Sequence, residues 1–164
     1  MALGFWMNNK NCYGCKTCQI GCANEKMLPA GVYLRRVRII DTATGMAYVS
    51  MSCNHCDEPA CVTNCPVGAY TKDEETGLVI QDHEKCIGCQ NCVLACPFGA
   101  VTIKSKVKTK RFGNLEINCG WKPVVIKCDL CSHRPEGPAC VKACLTEGLM
   151  LVDQDYLDNL SKEK

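Results

Sequence analysis

Sixteen of the seventeen cysteines in this 164-residue chain fall into four groups of four. They are Cys12, Cys15, Cys18 and Cys22; Cys53, Cys56, Cys61 and Cys65; Cys86, Cys89, Cys92 and Cys96; and Cys128, Cys131, Cys140 and Cys144. The first and third groups read C-x2-C-x2-C-x3-C, with three thiols in one tight loop and a fourth just beyond it. A chain tied at four such knots has few folds open to it, because each knot must close by disulfides or around a metal centre.

Three chemistries compete to explain so much cysteine. Disulfides fit worst. No secretory segment with a long apolar run precedes Cys12, and three cysteines within seven residues would compete for partners in a strained framework. Structural zinc wants four thiolates, but usually from two separated C-x2-C pairs, so a zinc-held interaction module stands as the remote alternative. The triplets Cys12/Cys15/Cys18 and Cys86/Cys89/Cys92 suit a larger body, three of whose corners are met by one loop. Cys96 is followed by Pro97, completing the iron–sulfur run in which the fourth cysteine serves the other cluster of a pair. The expected cofactors are four [4Fe–4S] clusters.

Three Phe, two Trp and five Tyr make a thin conventional core, so the clusters are expected to staple the fold and the iron-free protein to be largely unfolded. The formal charge of +2 counts cysteines as neutral. Each oxidised cluster with its thiolates carries about −2, which takes the loaded protein to about −6 and calls for compensation by N–H groups and basic side chains. Nucleic-acid binding is not indicated. No apolar stretch is long enough to span a membrane, so no direct membrane insertion is expected. Arg35-Arg36 lies after the first cysteine group and is not followed by an export signal's apolar run. A cytoplasmic location is expected, with export alongside a signal-bearing partner left open.

The groups repeat: Cys12 to Cys86 spans 74 positions and Cys53 to Cys128 spans 75. Cys65-Pro66-Val67-Gly68-Ala69 is echoed by Cys96-Pro97-Phe98-Gly99-Ala100. The expected fold is α+β, with two nested bacterial-ferredoxin-like units of two clusters each and a hairpin insertion. Groups two and three make the inner unit, 53–100. Groups one and four make the outer unit, 1–52 with 120–164. Residues 101–119 begin the lysine-rich hairpin, which extends to about 127.

Thr76-Gly77 closes a polar turn between two short β-prone stretches. Lys104, Lys106, Lys108 and Lys110 alternate with other residues and share one face of a strand, with Gly113 and Asn114 as the turn and LEIN or PVVIK as the returning strand. That stripe is either a solvated face or a docking surface for an acidic partner. Short helices are expected over Cys18 to Glu25 and Cys92 to Ala95, their N-terminal N–H groups near cluster sulfur. Gly14, Gly21, Gly68, Gly88, Gly99 and Gly120 are read as sites of backbone turns and close approach.

No nucleophile–base pair, phosphate loop or paired acid is discernible, so no catalytic residue is assigned and the chemistry expected is one-electron transfer. His55, His83 and His133 are read as surface residues or supports behind the ligands, since every cluster corner already has a thiolate. Cys119, left over, is read as a small buried hydrophobe rather than a redox group.

The stretches GFWMNNKNCYGCKTCQIGCANEK with LRRV, SMSCNHCDEPACVTNCPVGAY, HEKCIGCQNCVLACPFGA and KCDLCSHRPEGPACVKAC resemble the four-cluster electron-transfer subunits of the dimethyl sulfoxide reductase type. The resemblance implies crossed ligation. Cys12, Cys15 and Cys18 would share a cluster with Cys144, and Cys128, Cys131 and Cys140 with Cys22. In the inner unit Cys53, Cys56 and Cys61 would go with Cys96, and Cys86, Cys89 and Cys92 with Cys65. It implies a wire of four clusters serving a Mo- or W-pterin catalytic subunit, with a flavin/NADH subunit or membrane anchor as a candidate second redox partner. Aldehyde oxidoreductase, formate dehydrogenase and hydrogenase assemblies are alternatives to a dimethyl sulfoxide reductase, and a free soluble polyferredoxin is the alternative to any complex. The sequence departs from the family in a longer third-to-fourth linker and in Leu145, where relatives often carry proline.

Overall fold

The computed structural model describes residues 3–43 and 45–162, so the outermost ends of the expected outer unit, 1–2 and 163–164, lie outside the described residues. In chain order the elements are β1 (Leu3–Met7), α1 (Thr17–Glu25), β2 (Arg36–Thr42), β3 (Gly45–Met51), α2 (Ala60–Thr63), β4 (Tyr70–Lys72) and β5 (Val79–Gln81). They continue with α3 (Asn91–Ala95), β6 (Thr102–Phe112), β7 (Leu115–Ile126), α4 (Ala139–Lys142), β8 (Leu149–Asp153) and α5 (Gln154–Lys162). Among the described residues the strands form four antiparallel pairs, β1 with β8, β2 with β3, β4 with β5 and β6 with β7. The result is a small mixed α/β protein without a large sheet, in which loops and short helices carry the cysteines.

The duplication in sequence is a duplication in backbone. Gly14 and Gly88 sit at φ +66° and +74°, and Lys16 and Gln90, immediately before α1 and α3, are both left-handed. The second and fourth groups share Pro-Ala-Cys-Val, with Pro59 and Pro138 preceding α2 and α4. Proline fits here because its fixed φ starts a helix whose first N–H groups have no partner within it.

Helix packing pairs the outer groups with each other and the inner groups with each other: α1 lies on α4, and α2 on α3. Gly21 makes the first contact possible. A Cβ there would stand 2.7 Å from the Ala143 Cβ and 3.3 Å from the Ala139 carbonyl oxygen, so only hydrogen lets the two helices approach this closely. Polar contacts fasten the same junction. Lys26 pairs with Asp129 at 2.7 Å, and Glu25 accepts from both His133 and Arg134. Three apolar clusters run through the molecule. One contains Cys18, Cys22, Cys140 and Cys144, the next Cys53, Cys96 and Cys128, and the third Cys61, Cys65, Cys86, Cys92 and Cys96.

The expected turn at Thr76-Gly77 joins β4 and β5, with the Thr76 hydroxyl on the Asp73 carboxylate at 2.6 Å and Gly77 N–H on the Asp73 carbonyl. The lysine-rich hairpin is a long two-stranded arm turning at Gly113-Asn114, and LEIN and PVVI lie in the single strand β7. Val107 pairs with Trp121 and Thr109 with Asn118, so Cys119 and Gly120 together face Lys108 in a bulge; Gly120 sits at φ +108°. The extra residue falls on β7, which leaves the alternation of the lysines on β6 unbroken. Cys119 corrects the sequence reading. It is exposed, because the outer part of the arm has no layer packed over it.

Candidate metal centres

Three cavities between the elements are each walled by four of the sixteen cysteines. Cys12, Cys15, Cys18 and Cys144 line one of about 340 Å3, counted out to its open mouth. Cys22, Cys128, Cys131 and Cys140 line a second of about 270 Å3. Cys53, Cys56, Cys61 and Cys96 line a third of about 360 Å3. In each, three thiols come from one group and the fourth from another, the foreign thiol being Cys144, Cys22 and Cys96 respectively. Of the remaining four, Cys65, Cys86 and Cys92 share the apolar cluster around Tyr70, Val79, Val101 and Val125, and the charges of Cys86 and Cys89 act on Cys92.

The thiols surround voids and do not converge on points. Among the described residues, no three His, Cys, Asp or Glu side chains stand at the spacing of a single metal ion. That arrangement suits a polyatomic centre better than tetrahedral zinc, whose four sulfurs lie about 2.3 Å from one ion.

Local backbone aims donors at the sulfurs. The two Cys-Pro-x-Gly-Ala turns are alike. Gly68 and Gly99 have positive φ, and Ala69 N–H donates to Cys65 Sγ at 3.2 Å as Ala100 N–H does to Cys96 Sγ at 3.4 Å. Leu130 N–H donates to Cys128 Sγ at 3.4 Å, and the Tyr70 hydroxyl to Cys92 Sγ at the same distance. Such donors favour thiolate and lower the cost of placing negative sulfur in an apolar interior.

Burial opposes them. It pushes the Cys22 and Cys128 thiols up to about 12, and it raises Cys53, Cys61, Cys92 and Cys140. Left as thiols these groups hold their protons at neutral pH, so metal binding must release them. Cys15 is exposed, and the Thr17 hydroxyl beside it lowers its pKa. Cys89 is also exposed, whereas Cys22, Cys53, Cys128, Cys131 and Cys140 are buried.

The fit to an anionic cofactor is tested by the cations in the interior. Arg35 is 1% exposed and lines the cavity of Cys22, Cys128, Cys131 and Cys140, where its Nε is buried without a protein partner. Lys127 is buried beside Cys128; its Nζ donates to the carbonyls of Val79 and Cys128, and its charge acts on Cys53 and Cys61. Positive charge stored beside four thiols fits a centre of net negative charge. A dithiol pair leaves it without a counter-ion.

The histidines take supporting places. His55 is buried, accepts the Val79 N–H on Nδ1 and is held neutral, its pKa drawn down by burial to about 4. His133 meets Glu25 at the surface, and His83 is exposed. Sequence reasoning missed Arg35 and Lys127 as individuals. The available signal was that Leu34-Arg35 is followed by the alternating strand Arg36–Thr42, which turns one arginine of the pair inward. Lys104 is half-buried at the base of the arm, and Lys106, Lys108 and Lys110 are exposed. Among the described residues none of the four makes an ion pair.

Residues 44–154 match the family described as the 4Fe-4S dicluster domain. Electron transport protein HydN of Escherichia coli (strain K12) is 35% identical over 161 residues, spanning 93% of the present sequence and 89% of that protein. An iron–sulfur relative from the same strain, named as a component of anaerobic dimethyl sulfoxide reductase, is 36% identical over 177 aligned positions, spanning 98% of the present sequence and 76% of its own length. A probable iron-sulfur protein of the Frd operon of Proteus vulgaris is 41% identical over 112 residues, 68% of the present sequence and 70% of that protein.

Proposed function

Because the protein belongs to the 4Fe-4S dicluster family, we propose that its sixteen grouped cysteines hold four [4Fe–4S] clusters in a single conducting row. The protein is an iron–sulfur electron-transfer subunit with multiple [4Fe–4S] clusters; it serves an oxidoreductase and has no catalytic site of its own. Bound in the cavities, each cluster supplies storage for one electron at a time. The protein's residues hold the centres at fixed separation, exclude water from the inner ones and offset their charge.

The observation that carries the finer reading is the composition of the three cavity walls, three thiols from one group and one from another. On this reading the ligand sets are Cys12/Cys15/Cys18/Cys144, Cys22/Cys128/Cys131/Cys140, Cys53/Cys56/Cys61/Cys96 and Cys65/Cys86/Cys89/Cys92. The nested units follow, an outer pair of clusters from groups one and four around an inner pair from groups two and three, and the packing of α1 on α4 and α2 on α3 supports them. The apolar clusters supply the order of the row, since each contains cysteines of two neighbouring sets. The exposed Cys15 and Cys89 then belong to the two terminal clusters, where electrons enter and leave.

The catalytic partner in this reading is a molybdenum- or tungsten-pterin subunit, with a membrane anchor or a flavin protein as the second redox partner. No helix among the described residues is long and apolar enough to cross a membrane. The arm β6–β7 is assigned to docking. It emerges beside the terminal Cys89 loop, where Gly88 leaves just enough room for the Pro123 carbonyl, at 3.0 Å from where a Cβ would stand. It presents Lys106, Lys108 and Lys110 together with exposed Phe112, Leu115 and Trp121. Native anaerobic purification tests the partner: a large subunit containing Mo or W is expected, and a lone monomer supports a free carrier. Reversing Lys106 and Lys108 to Glu is expected to weaken assembly at low salt with iron content intact; an unchanged complex returns the stripe to a solvated face.

A further inference from the structure

The cavity of Cys22, Cys128, Cys131 and Cys140 has two cations on its wall in different states. Lys26 is neutralised by Asp129 at 2.7 Å. Arg35 makes no ion pair among the described residues. Its Nη1 donates to the Ser50 hydroxyl at 3.1 Å and its Nη2 to the Ser52 hydroxyl at 2.8 Å, while its Cζ stands 4.0 Å from the centroid of the Phe5 ring. Only neutral groups hold this buried charge, and one of its donors, Nε–H, remains free within the cavity wall. A dry guanidinium without a counter-ion is costly to maintain, and a buried donor without an acceptor adds to that cost.

We propose that the missing counter-charge is the cluster itself: Arg35 donates its Nε–H to sulfur of the centre held by Cys22, Cys128, Cys131 and Cys140, and thereby raises that centre's reduction potential. The inference rests on the ligand set assigned above. Reduction of this centre adds one electron, given up by a neighbouring cluster that is oxidised by one. The fixed positive charge and the N–H dipole stabilise the more negative, reduced form the more strongly of the two. Arg35 keeps its proton throughout the accessible pH range, so the effect is independent of pH. Ser50, Ser52 and Phe5 position the guanidinium, and Arg35 acts through the sulfur and not on any substrate.

The test is a mediator titration of the loaded protein with dithionite as the electron source, followed by electron paramagnetic resonance. Arg35→Gln is expected to lower one of four potentials by at least tenfold in equilibrium constant, 59 mV for one electron. The signal that moves is the one altered by Cys131→Ser, and the shift is the same at pH 6 and pH 9. Arg35→Lys, which keeps charge but loses the fork, moves it less. Ser52→Ala, which frees the guanidinium without removing it, moves it far less than Arg35→Gln. After exchange into deuterated water, an exchangeable proton coupled to the same reduced centre is lost in Arg35→Gln. Four unchanged potentials in an iron-replete Arg35→Gln variant overturn the proposal, as does an equal shift from Ser52→Ala, which makes the role one of packing. Should Arg35→Gln lose iron, the absence of that exchangeable proton in the unsubstituted protein overturns it instead. If Cys22→Ser and Cys131→Ser alter different signals, the ligand set is wrong, and that result is separate from any effect of Arg35.

Discussion

Replacing Gly21 by alanine tests whether the first and fourth cysteine groups are held together by helix contact. The new Cβ would begin 2.7 Å from the Ala143 Cβ, whereas carbon atoms pack comfortably at about 3.5–4.0 Å, so α1 and α4 must part by about 1 Å. Overpacking of this kind costs about 1–3 kcal/mol, and alanine's better helix propensity returns about 1 kcal/mol. A net loss of about 1 kcal/mol is expected. The strain falls on ligands, because Cys22 follows Gly21 directly and Cys144 follows Ala143. Removing the struck methyl with Ala143→Gly should relieve it, so a double-mutant cycle is expected to show a coupling of about 1 kcal/mol. The assay is loss of visible cluster absorbance during anaerobic denaturation of the loaded protein. Strict additivity of the two substitutions would refute the contact as the source of the strain.

Tyr70→Phe removes the hydroxyl that donates to Cys92 Sγ and keeps the ring in its apolar cluster. It is expected to lower the potential of the cluster assigned to Cys65, Cys86, Cys89 and Cys92 by about 1–2 kcal/mol of reduction free energy, with iron content unchanged; a titration showing all four potentials unmoved counts against that bond. Cys22→Ser is expected to perturb the centre bound by Cys128, Cys131 and Cys140 and to spare the one bound by Cys12, Cys15 and Cys18, read from which resonance signal changes. Stripping iron with a strong chelator is expected to abolish the cooperative fold, checked by loss of amide-exchange protection; an iron-free protein with native protection contradicts the clusters' structural role.

The cysteine groups, the turn at Thr76-Gly77 and the short helices after the two triplets were legible because each is a local signal, set by spacing, turn chemistry or helix start. The β1–β8 pairing was not, since Leu3–Met7 meets Leu149–Asp153 from the far end of the sequence and neither segment announces its partner. Which thiols share a cavity is likewise a tertiary fact: spacing proposes that Cys22 leaves its own group, but the approach of α1 to α4 at Gly21 is what brings it to Cys140. Cys119 was misread because apolar neighbours normally mark a buried segment, and on a protruding arm the same neighbours lie exposed. Arg35 and Arg36 are indistinguishable by composition. Only the strand's direction buries one and exposes the other.

Iron and acid-labile sulfide, measured per polypeptide on anaerobically purified protein, test the central claim most directly. Four cubanes require about sixteen of each, with no zinc. A content near eight would leave two of the four cysteine sets without clusters, and zinc in place of iron would contradict the account from the first cysteine group onward.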